Sequence, residues 1–476
     1  MVVQHNMQAA NANRMLNVTT GQQAKSTEKL SSGYRINRAA DDAAGLSISE
    51  KMRKQIRGLD KASSNAEDGV SSVQTAEGAL TEVHSMLQRM NELATQSANG
   101  TNSTTDRSAI QDEISQLTTE IDRVAETTKF NETYLLKGGD GTKQEYMKGH
   151  DAGLKGTLTD GTTKATFKVA AGALDEGKSV TIGGKDYTIG STVNDVQTAV
   201  DKLTAADDKV TVNDKTYTYV AANSKAPGGQ TVTTAGWVLD GDKTSTTGTT
   251  LTIANGDKVT TTPKTGASAS YTAAEMDNGV SKADPSIISA EKAVSLMKDE
   301  LIAANKVGVT NGTVEITGNP AYDKDNGVTF NINKGSAEVA NKLSFSLHVG
   351  SDADMTNKIT VGIETMNSSY LGIKGLNVND DSGIAGTYAI DAISDALQKV
   401  SDQRSSLGAV QNRLEHTIDN LDNVVENTTS AESRIRDTDM AKEMVNYSKN
   451  NILAQAGQSM LAQANQSNQG VLSLLQ

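Results

Sequence analysis

The side chains that could support catalysis or metal binding are scattered along the chain. The five histidines include no His-Glu-x-x-His pattern and no pair at the spacing of metal ligands. The acidic pairs Asp41-Asp42 and Asp380-Asp381 have no histidine near them in the sequence, and neighbouring side chains point in different directions. No glycine pattern typical of a phosphate-binding loop occurs. The sequence therefore predicts no enzymatic activity, no metal site and no cofactor.

Composition and charge narrow the possible partners. The net charge of −13 disfavours nucleic acid, whose binding needs clustered Lys and Arg. No apolar run is long enough to span a membrane, and the absence of cysteine excludes disulfides and thiolate sites. The first residues do not form a Sec-type signal peptide. We therefore expect a cytoplasmic protein or one that is secreted without a cleavable signal.

Arginine is confined to the two ends of the chain. All twelve arginines lie at or before Arg123 or at or after Arg404, and the middle carries only lysine as its strong cation. Arginine is preferred for bidentate ion pairs at interfaces, whereas lysine is more strongly hydrated. The distribution predicts that the ends form interfaces and that the middle faces water.

Each end also carries a long helical seam. Three-four spacing of apolar and small residues over 59–94 predicts a coiled-coil helix. Its members are Leu59, Ala62, Ala66, Gly69, Val73, Ala76, Leu80, Val83, Leu87, Met90 and Ala94. A polar break at 99–102 predicts a loop to an antiparallel helix. That helix has its own seam at Ile110, Ile114, Leu117, Ile121 and Val124.

The same spacing returns near the other end, over 390–425. The apolar members of this seam are Ile390, Ile393, Leu397, Val400, Leu407, Leu414, Ile418, Leu421 and Val425. Two further members, Arg404 and Gln411, are polar, and polar seam residues commonly fix register or partner. Each long seam corresponds to about 54 Å of helix at roughly 1.5 Å per residue. The two seams can therefore pair along their whole length in one bundle.

The outermost segments, 1–44 and 440–476, are rich in Ala, Asn and Gln and have thin apolar stripes. Helices with such narrow stripes are marginally stable alone. We expect these segments to be disordered in the free monomer and to fold when neighbouring chains supply a surface.

The middle, residues 141–339, is predicted to be a β-rich insertion. Alternating runs at 179–182, 216–220 and 313–317 favour short strands, and an amphipathic stretch over 287–301 favours one helix. The predicted fold is thus mainly α: a long antiparallel coiled-coil bundle built from both termini, with a variable β-rich middle. Its outer domain comprises 45–140 with 340–439 and includes a small β element.

Several long motifs resemble bacterial flagellin, the subunit of the flagellar filament. The resemblance covers roughly residues 1–140 and 340–476, with the motifs in the family's order. They are Ser31–Glu50, Leu87–Asn99, Glu120–Val124 leading to Phe130-Asn131, Leu407–Leu414, Ala441–Met444 and Leu472–Leu475.

The resemblance implies a secreted, extracellular structural protein that forms a helical homopolymer for motility. The outer ends would form an inner tube, the paired seams a surrounding tube, and the middle would project outward. It implies export by the flagellar type III apparatus, an export chaperone, and contacts with filament cap and junction proteins. The residues assigned to assembly or register are Arg35, Arg38, Asp41 and Asp42, together with the polar seam residues Arg404 and Gln411. Those assigned to the terminal polymerisation and chaperone segment are Met460, Leu472, Leu474 and Leu475.

The resemblance also implies recognition by the innate immune receptor Toll-like receptor 5. Gln88, Arg89, Leu93 and Glu113 match the family's recognition surface, whereas Asn91 replaces an arginine that many agonist flagellins carry. The same surface is buried between subunits in the family's filament, so these residues also have a structural reason to be present.

Two alternatives share the helical ends. A hook-filament junction protein has similar terminal helices but is present in few copies. A surface adhesin or enzyme would use 141–339 as its active part, with the helices as an anchor, although the sequence offers no site there.

Overall fold

The computed structural model describes residues 6–380 and 382–473, with side chains to residue 467. Its long helices come from the two ends of the chain and its strands from the middle, as predicted for a mainly α bundle with a β-rich insertion. The helices are α1 (Met7–Ser32), α2 (Ala43–Ala98), α3 (Thr104–Thr127), α4 (Val193–Asp201), α5 (Ala290–Asn305), α6 (Ser368–Leu371), α7 (Ile384–Arg436) and α8 (Met440–Ser473).

The strands are short and are separated by glycine-containing turns. They are β1 (Lys129–Phe130), β2 (Thr133–Tyr134), β3 (Gly139–Tyr146), β4 (Thr157–Asp160), β5 (Lys164–Val169), β6 (Ser179–Ile182), β7 (Lys185–Ile189), β8 (Ser191–Thr192), β9 (Lys209–Val212), β10 (Lys215–Val220), β11 (Ser224–Lys225), β12 (Thr231–Val232), β13 (Gly236–Leu239), β14 (Lys258–Thr262), β15 (Ala269–Ala274), β16 (Met276–Asp277), β17 (Val280–Ser281), β18 (Ile287–Ile288), β19 (Glu315–Thr317), β20 (Val328–Asn333), β21 (Ser336–Asn341), β22 (Leu343–His348) and β23 (Lys358–Ile363).

The predicted strands of the middle are confirmed, with small changes of boundary. The run at 179–182 is β6, and the run at 216–220 lies in β10. The predicted helix over 287–301 instead begins at Ala290, because Ile287 and Ile288 pair with β7 and the Ser289 hydroxyl caps the helix. Three sheets have the orders β13-β10-β9-β14-β15-β8, β16-β17-β18-β7-β6 and β19-β20-β5-β4.

The chain divides into two compact units. The first comprises Met1–Gln74, Phe345–Val361 and Leu407–Gln476, and the second comprises Thr75–Ser344 and Gly362–Ser406. In the first unit α2 and α7 run antiparallel. Glu50 pairs with Arg436, and the Ser63 hydroxyl bonds Asp422 further along. A core of Ala66, Val349, Ile359 and Leu414 lies between these helices and the β22–β23 hairpin.

Within the second unit the same two helices are again antiparallel. Glu77 faces Arg404 at 3.5 Å, and Gly386 lies against the backbone of Ala94 and Ala98. Every predicted member of the 59–94 seam is buried. The predicted loop at 99–102 joins α2 to α3, and the Arg107 side chain donates to the carbonyls of Ser97 and Asn99 at the end of α2.

The β-rich part of the second unit has its own cores. The largest surrounds Phe167 and Phe330, whose ring centroids are 6.3 Å apart, and includes Leu301 of α5. A separate core packs α4 against Trp237 and Val259. The middle therefore folds mostly around its own apolar residues, and Tyr388 of α7 joins the largest of these cores.

Candidate assembly surfaces

The terminal helices α1 and α8 pack against each other with little burial. Asn6 donates to the Ala464 carbonyl at 3.1 Å, and Leu16 lies beside Gly457. Further along, Ser26 faces Glu443 and lowers the pKa of that carboxyl, so the two helices run antiparallel. Ser26 is the one buried side chain of α1, and Asn450 and Ala454 are the buried ones among the described side chains of α8. This contact buries hardly any apolar area.

Exposed apolar side chains concentrate on this helix pair. Among the described residues, most of the large hydrophobic side chains that are exposed belong to α1 or α8. These are Met7, Met15 and Val18 on α1 and Met440, Met444, Val445, Ile452, Leu453 and Met460 on α8. Soluble monomers rarely expose contiguous apolar patches, and larger patches mark interaction sites. The α1–α8 pair is therefore a candidate assembly surface.

The segment between α1 and α2 is fastened to the end of α7. Gly33 ends α1 at a φ of 75°, in the left-handed region that favours glycine. The Tyr34 ring then lies 5.9 Å from the Arg53 guanidinium and 4.9 Å from that of Arg436. The Arg35 guanidinium donates to the Ile435 carbonyl. Tyr34 was not among the predicted assembly residues, although it lies beside Arg35 in the motif Ser31–Glu50.

Asp41 and Asp42 act locally in this segment. Asp41 accepts the backbone N–H groups of Asn37 and Arg38, and the Arg38 bond is the main cause that lowers the pKa of Asp41. Asp42 accepts the N–H of Gly45 at 2.8 Å, in the first turn of α2. A Cβ at Gly45 would lie 2.5 Å from the Asp42 carboxylate, so glycine permits this close cap.

Arg38 differs from its neighbours in the turn. Its side chain is 74% exposed and contacts Glu28 of α1 at 2.9 Å. Exposed pairs of this kind contribute about 0–1 kcal/mol. Arg38 is therefore the predicted assembly residue of this turn whose charge remains most available to another molecule.

The polar residues of the 390–425 seam take different positions. Arg404 is half-buried beside Glu77, and Gln411 bonds Glu415 of its own helix. Sequence reasoning missed Gln403, which is only 7% exposed. Its amide accepts the N–H of Glu364 and donates to the carbonyl of Gly362, so it joins α7 to the end of β23. Three-four spacing after residue 400 permits either 403 or 404, and strict alternation of three and four favoured 404.

The residues matched to receptor recognition do not share one surface. Gln88, Arg89 and Glu113 are exposed. The Arg89 guanidinium donates to Glu113 at 2.9 Å and also contacts Glu92, and the Glu113 bond is the main cause that raises the pKa of Arg89. Leu93 is only 2% exposed and belongs to the core. The exposed surface therefore consists of Gln88, Arg89 and Glu113.

The predicted terminal segment is described in part. Met460 is 61% exposed and lines a groove between α1 and α8. Leu472 lies within α8, but its side chain is outside the described part, and Leu474 and Leu475 lie outside the described residues altogether. Asp381, the second member of one acidic pair, is also outside them.

The described residues contain no group of three or more His, Asp or Glu side chains arranged to hold a metal ion. Among the same residues, no helix is both long enough and apolar enough to cross a membrane.

Comparison with known proteins extends over the whole chain. Residues 3–140 match the model of the bacterial flagellin N-terminal helical region, and residues 390–475 match that of the C-terminal helical region. A flagellin from Clostridium tyrobutyricum is 41% identical over 98% of this chain and 100% of that protein. A flagellin from Halalkalibacterium halodurans is 34% identical over 100% of both. A solved structure of FliC from Burkholderia pseudomallei is 20% identical over 72% of this chain and 99% of that one, with a TM-score of 0.28.

Proposed function

This chain belongs to the bacterial flagellin family and is a structural subunit of the flagellar filament, and on that premise we propose a role for each of its three parts. The α2–α7 bundle is the folded body of the subunit. The α1–α8 pair is the polymerisation surface and orders fully only against neighbouring subunits. The β-rich middle projects outward from the polymer.

The observation that carries this proposal is the row of exposed apolar side chains on α1 and α8. Val445 is 68% exposed and Ile452 is 66% exposed, whereas the seam residues of α2 are buried. Burial of a Val, Leu, Ile or Met side chain contributes roughly 1.5–3 kcal/mol. Contacts between subunits at these side chains would stabilise both the polymer and the helices themselves.

The same surface bears on secretion and partners. We propose that the subunit is exported by the type III apparatus to the extracellular filament, and that a chaperone covers the α8 segment beforehand. An exposed apolar helix is an aggregation hazard in the cytoplasm. Met444, Val445, Ile452 and Leu453 line one groove of about 500 Å³ on α8 that a chaperone can occupy. Filament cap and junction proteins would contact the same terminal helices at the polymer ends.

Removal of residues 440–476 tests the assignment of polymerisation. Filament formation should be lost, because α8 carries six of the nine exposed large apolar side chains described on the α1–α8 pair. The α2–α7 bundle should keep its unfolding transition, since its seam lies outside the deleted segment. The measurements are electron microscopy of the polymerisation mixture and circular dichroism during denaturation.

The control variant is Met355→Ser, which removes an exposed apolar side chain elsewhere on the surface. Met355 lies in the turn between β22 and β23 and is 74% exposed. This variant should polymerise normally if the terminal helices are the relevant surface. Filaments of undiminished length from the truncated chain would refute the proposal, as would loss of the bundle transition on truncation.

A second proposed function is recognition by Toll-like receptor 5. The observation that favours it is the exposed Arg89, which holds Glu113 on α3 beside Gln88 on α2. Exposed arginines are frequent binding hot spots. Arg89→Ala should weaken binding of the monomer to the receptor ectodomain about tenfold or more. Arg123→Ala, at a similarly exposed arginine paired with Glu120, is the control and should leave binding unchanged. Equal effects of the two variants would contradict this surface.

A further inference from the structure

We propose that the methionines of the two terminal helices are oxidation-sensitive sites through which peroxides block polymerisation of the free subunit. The inference rests on the proposed function, since it requires α1 and α8 to be covered by other subunits in the polymer. It assigns to these side chains a chemical modification in addition to packing.

Most of the exposed methionines lie on the two terminal helices, whereas Met52, Met86 and Met276 elsewhere in the chain are partly buried. The chain has 14 methionines and no cysteine, so thioethers are its only sulfur groups. Among the described residues, six methionine side chains are exposed, and five of the six belong to α1 or α8. These five are Met7, Met15, Met440, Met444 and Met460, and the sixth is Met355. By contrast, the methionines buried in the body of the subunit are Met90, Met147, Met297 and Met366.

Three of the five terminal-helix methionines line grooves on the helix pair. Met15 and Met460 line the same groove, of about 850 Å³, between α1 and α8. Met444 lines the groove on α8 with Val445, Ile452 and Leu453. A peroxide does not oxidise the aliphatic members of these grooves. The methionine thioethers are therefore the groups of this surface that a peroxide can oxidise.

The modification is a two-electron oxidation of sulfur by a peroxide. The thioether attacks one peroxide oxygen and the O–O bond breaks. With hydrogen peroxide, the hydroxyl transferred to sulfur gives up its proton to leave a sulfoxide, and the departing hydroxide takes up that proton and leaves as water. An apolar, flexible side chain becomes polar, a change that disrupts methionine-rich interfaces and is reversed by methionine sulfoxide reductases.

The difference in burial between the two groups of methionines explains why oxidation blocks polymerisation and leaves the subunit folded. A sulfoxide buried at a subunit contact without a hydrogen-bond donor is unfavourable. Met90, Met297 and Met366 are at most 1% exposed, so peroxide reaches them only on unfolding. Polymerisation should in turn shield the five methionines of α1 and α8 from oxidation.

The test treats the full-length free subunit with hydrogen peroxide, maps sulfoxides by peptide mass spectrometry and measures the critical concentration for polymerisation. Oxidation of the five terminal-helix methionines should raise the critical concentration about tenfold or more, which corresponds to ~1.4 kcal/mol. The five-fold variant M7L/M15L/M440L/M444L/M460L should polymerise like the parent and resist peroxide, because leucine is close to methionine in volume. The control M355L should remain as sensitive as the parent.

Three results would overturn the inference: normal polymerisation of a subunit carrying sulfoxides at all five positions, equal peroxide sensitivity of the five-fold variant, or resistance of M355L. If the five-fold variant does not polymerise untreated, reductase treatment of the oxidised parent decides instead. Recovery of polymerisation supports the inference and no recovery overturns it. If the proposed function itself is wrong, the truncated chain lacking 440–476 polymerises without any oxidant present. That result distinguishes failure of the proposed function from failure of the oxidation inference.

Discussion

Two antiparallel helix pairs in the first unit differ in how much apolar surface they bury. The α2–α7 pair encloses Ala66 and Leu414 at 0% exposure, supported by Leu59 and Leu421. The α1–α8 pair, in contrast, buries Ser26, Asn450 and Ala454 and leaves residues such as Met460 in solvent. Both pairs have regular helical hydrogen bonding, so backbone geometry does not separate them.

Only one of these pairs has the packing that a helix pair needs to be stable alone. Most helical stability in proteins comes from packing of an apolar face, and little comes from intrinsic propensity. The α2–α7 pair has such a face inside the subunit. The α1–α8 pair presents its apolar side chains outward, where only another molecule can bury them. We therefore interpret the first pair as the core of the subunit and the second as the part completed by assembly.

The largest effect should come from a cavity in the α2–α7 pair. Leu414→Ala should lower the free energy of unfolding of the free subunit by roughly 2–5 kcal/mol, because the side chain is fully buried. The matched change on the other pair is Leu453→Ala, at a side chain that is 47% exposed. It should alter unfolding by less than ~0.5 kcal/mol while raising the critical concentration for polymerisation. Denaturant titration measures the free energy of unfolding of each variant. Similar destabilisation by both changes would mean that the two helix pairs contribute equally to the stability of the free subunit.

A smaller effect is expected at the closest approach within the α2–α7 pair. A Cβ at Gly69 would overlap the Leu347 side chain and would lie 3.3 Å from that of Leu414. Gly69→Ala should therefore destabilise the free subunit by roughly 1–3 kcal/mol. Gly78, on the exposed side of the same helix, has no atom within 4 Å of its Cβ position. Gly78→Ala should stabilise by about 0.5–1 kcal/mol. Thermal unfolding measures the change in melting temperature of each variant relative to the parent. Two changes of the same sign would contradict the packing argument.

The smallest effect concerns pH and the α1–α8 pair. The hydrogen bond from Ser26 lowers the pKa of Glu443 below its ordinary value of 4.5. A depressed carboxyl pKa stabilises the folded contact above pH 4.5, and this contribution is lost as the pH falls through the folded pKa. Glu443→Gln should therefore weaken polymerisation at neutral pH, by less than ~1 kcal/mol because the carboxylate is only partly buried and solvent screens its charge.

The control for Glu443→Gln is to repeat the measurement of critical concentration at decreasing pH. The difference in critical concentration between the parent and Glu443→Gln should shrink as the pH is lowered below 4.5, since the parent carboxylate becomes protonated. A difference that is constant with pH would mean that the carboxylate charge of Glu443 has no part in the contact.

The sequence predicted the α2–α7 pair well because a buried face imposes a period on the residues that form it. Every seam member from Leu59 to Ala94 is buried, and the family resemblance is confirmed. Contacts between residues that are distant in the sequence were harder to predict. Gln403 could not be told from Arg404 by spacing, since the partner of Gln403 is the backbone at the end of β23, 39 residues away. Leu93 was matched to a surface by family resemblance, although its position beside the seam residue Ala94 was a sign of burial.

Amide hydrogen exchange of the full-length chain, free and polymerised, examines the division between the two helix pairs amide by amide. In the free subunit the amides of α2 and α7 should be strongly protected, whereas those of α1 and α8 should exchange rapidly, because few buried contacts oppose their opening. Polymerisation should add protection chiefly to α1 and α8. Equal protection of both pairs in the free subunit would show that the α1–α8 pair is already stable without its neighbours, contrary to the proposed division.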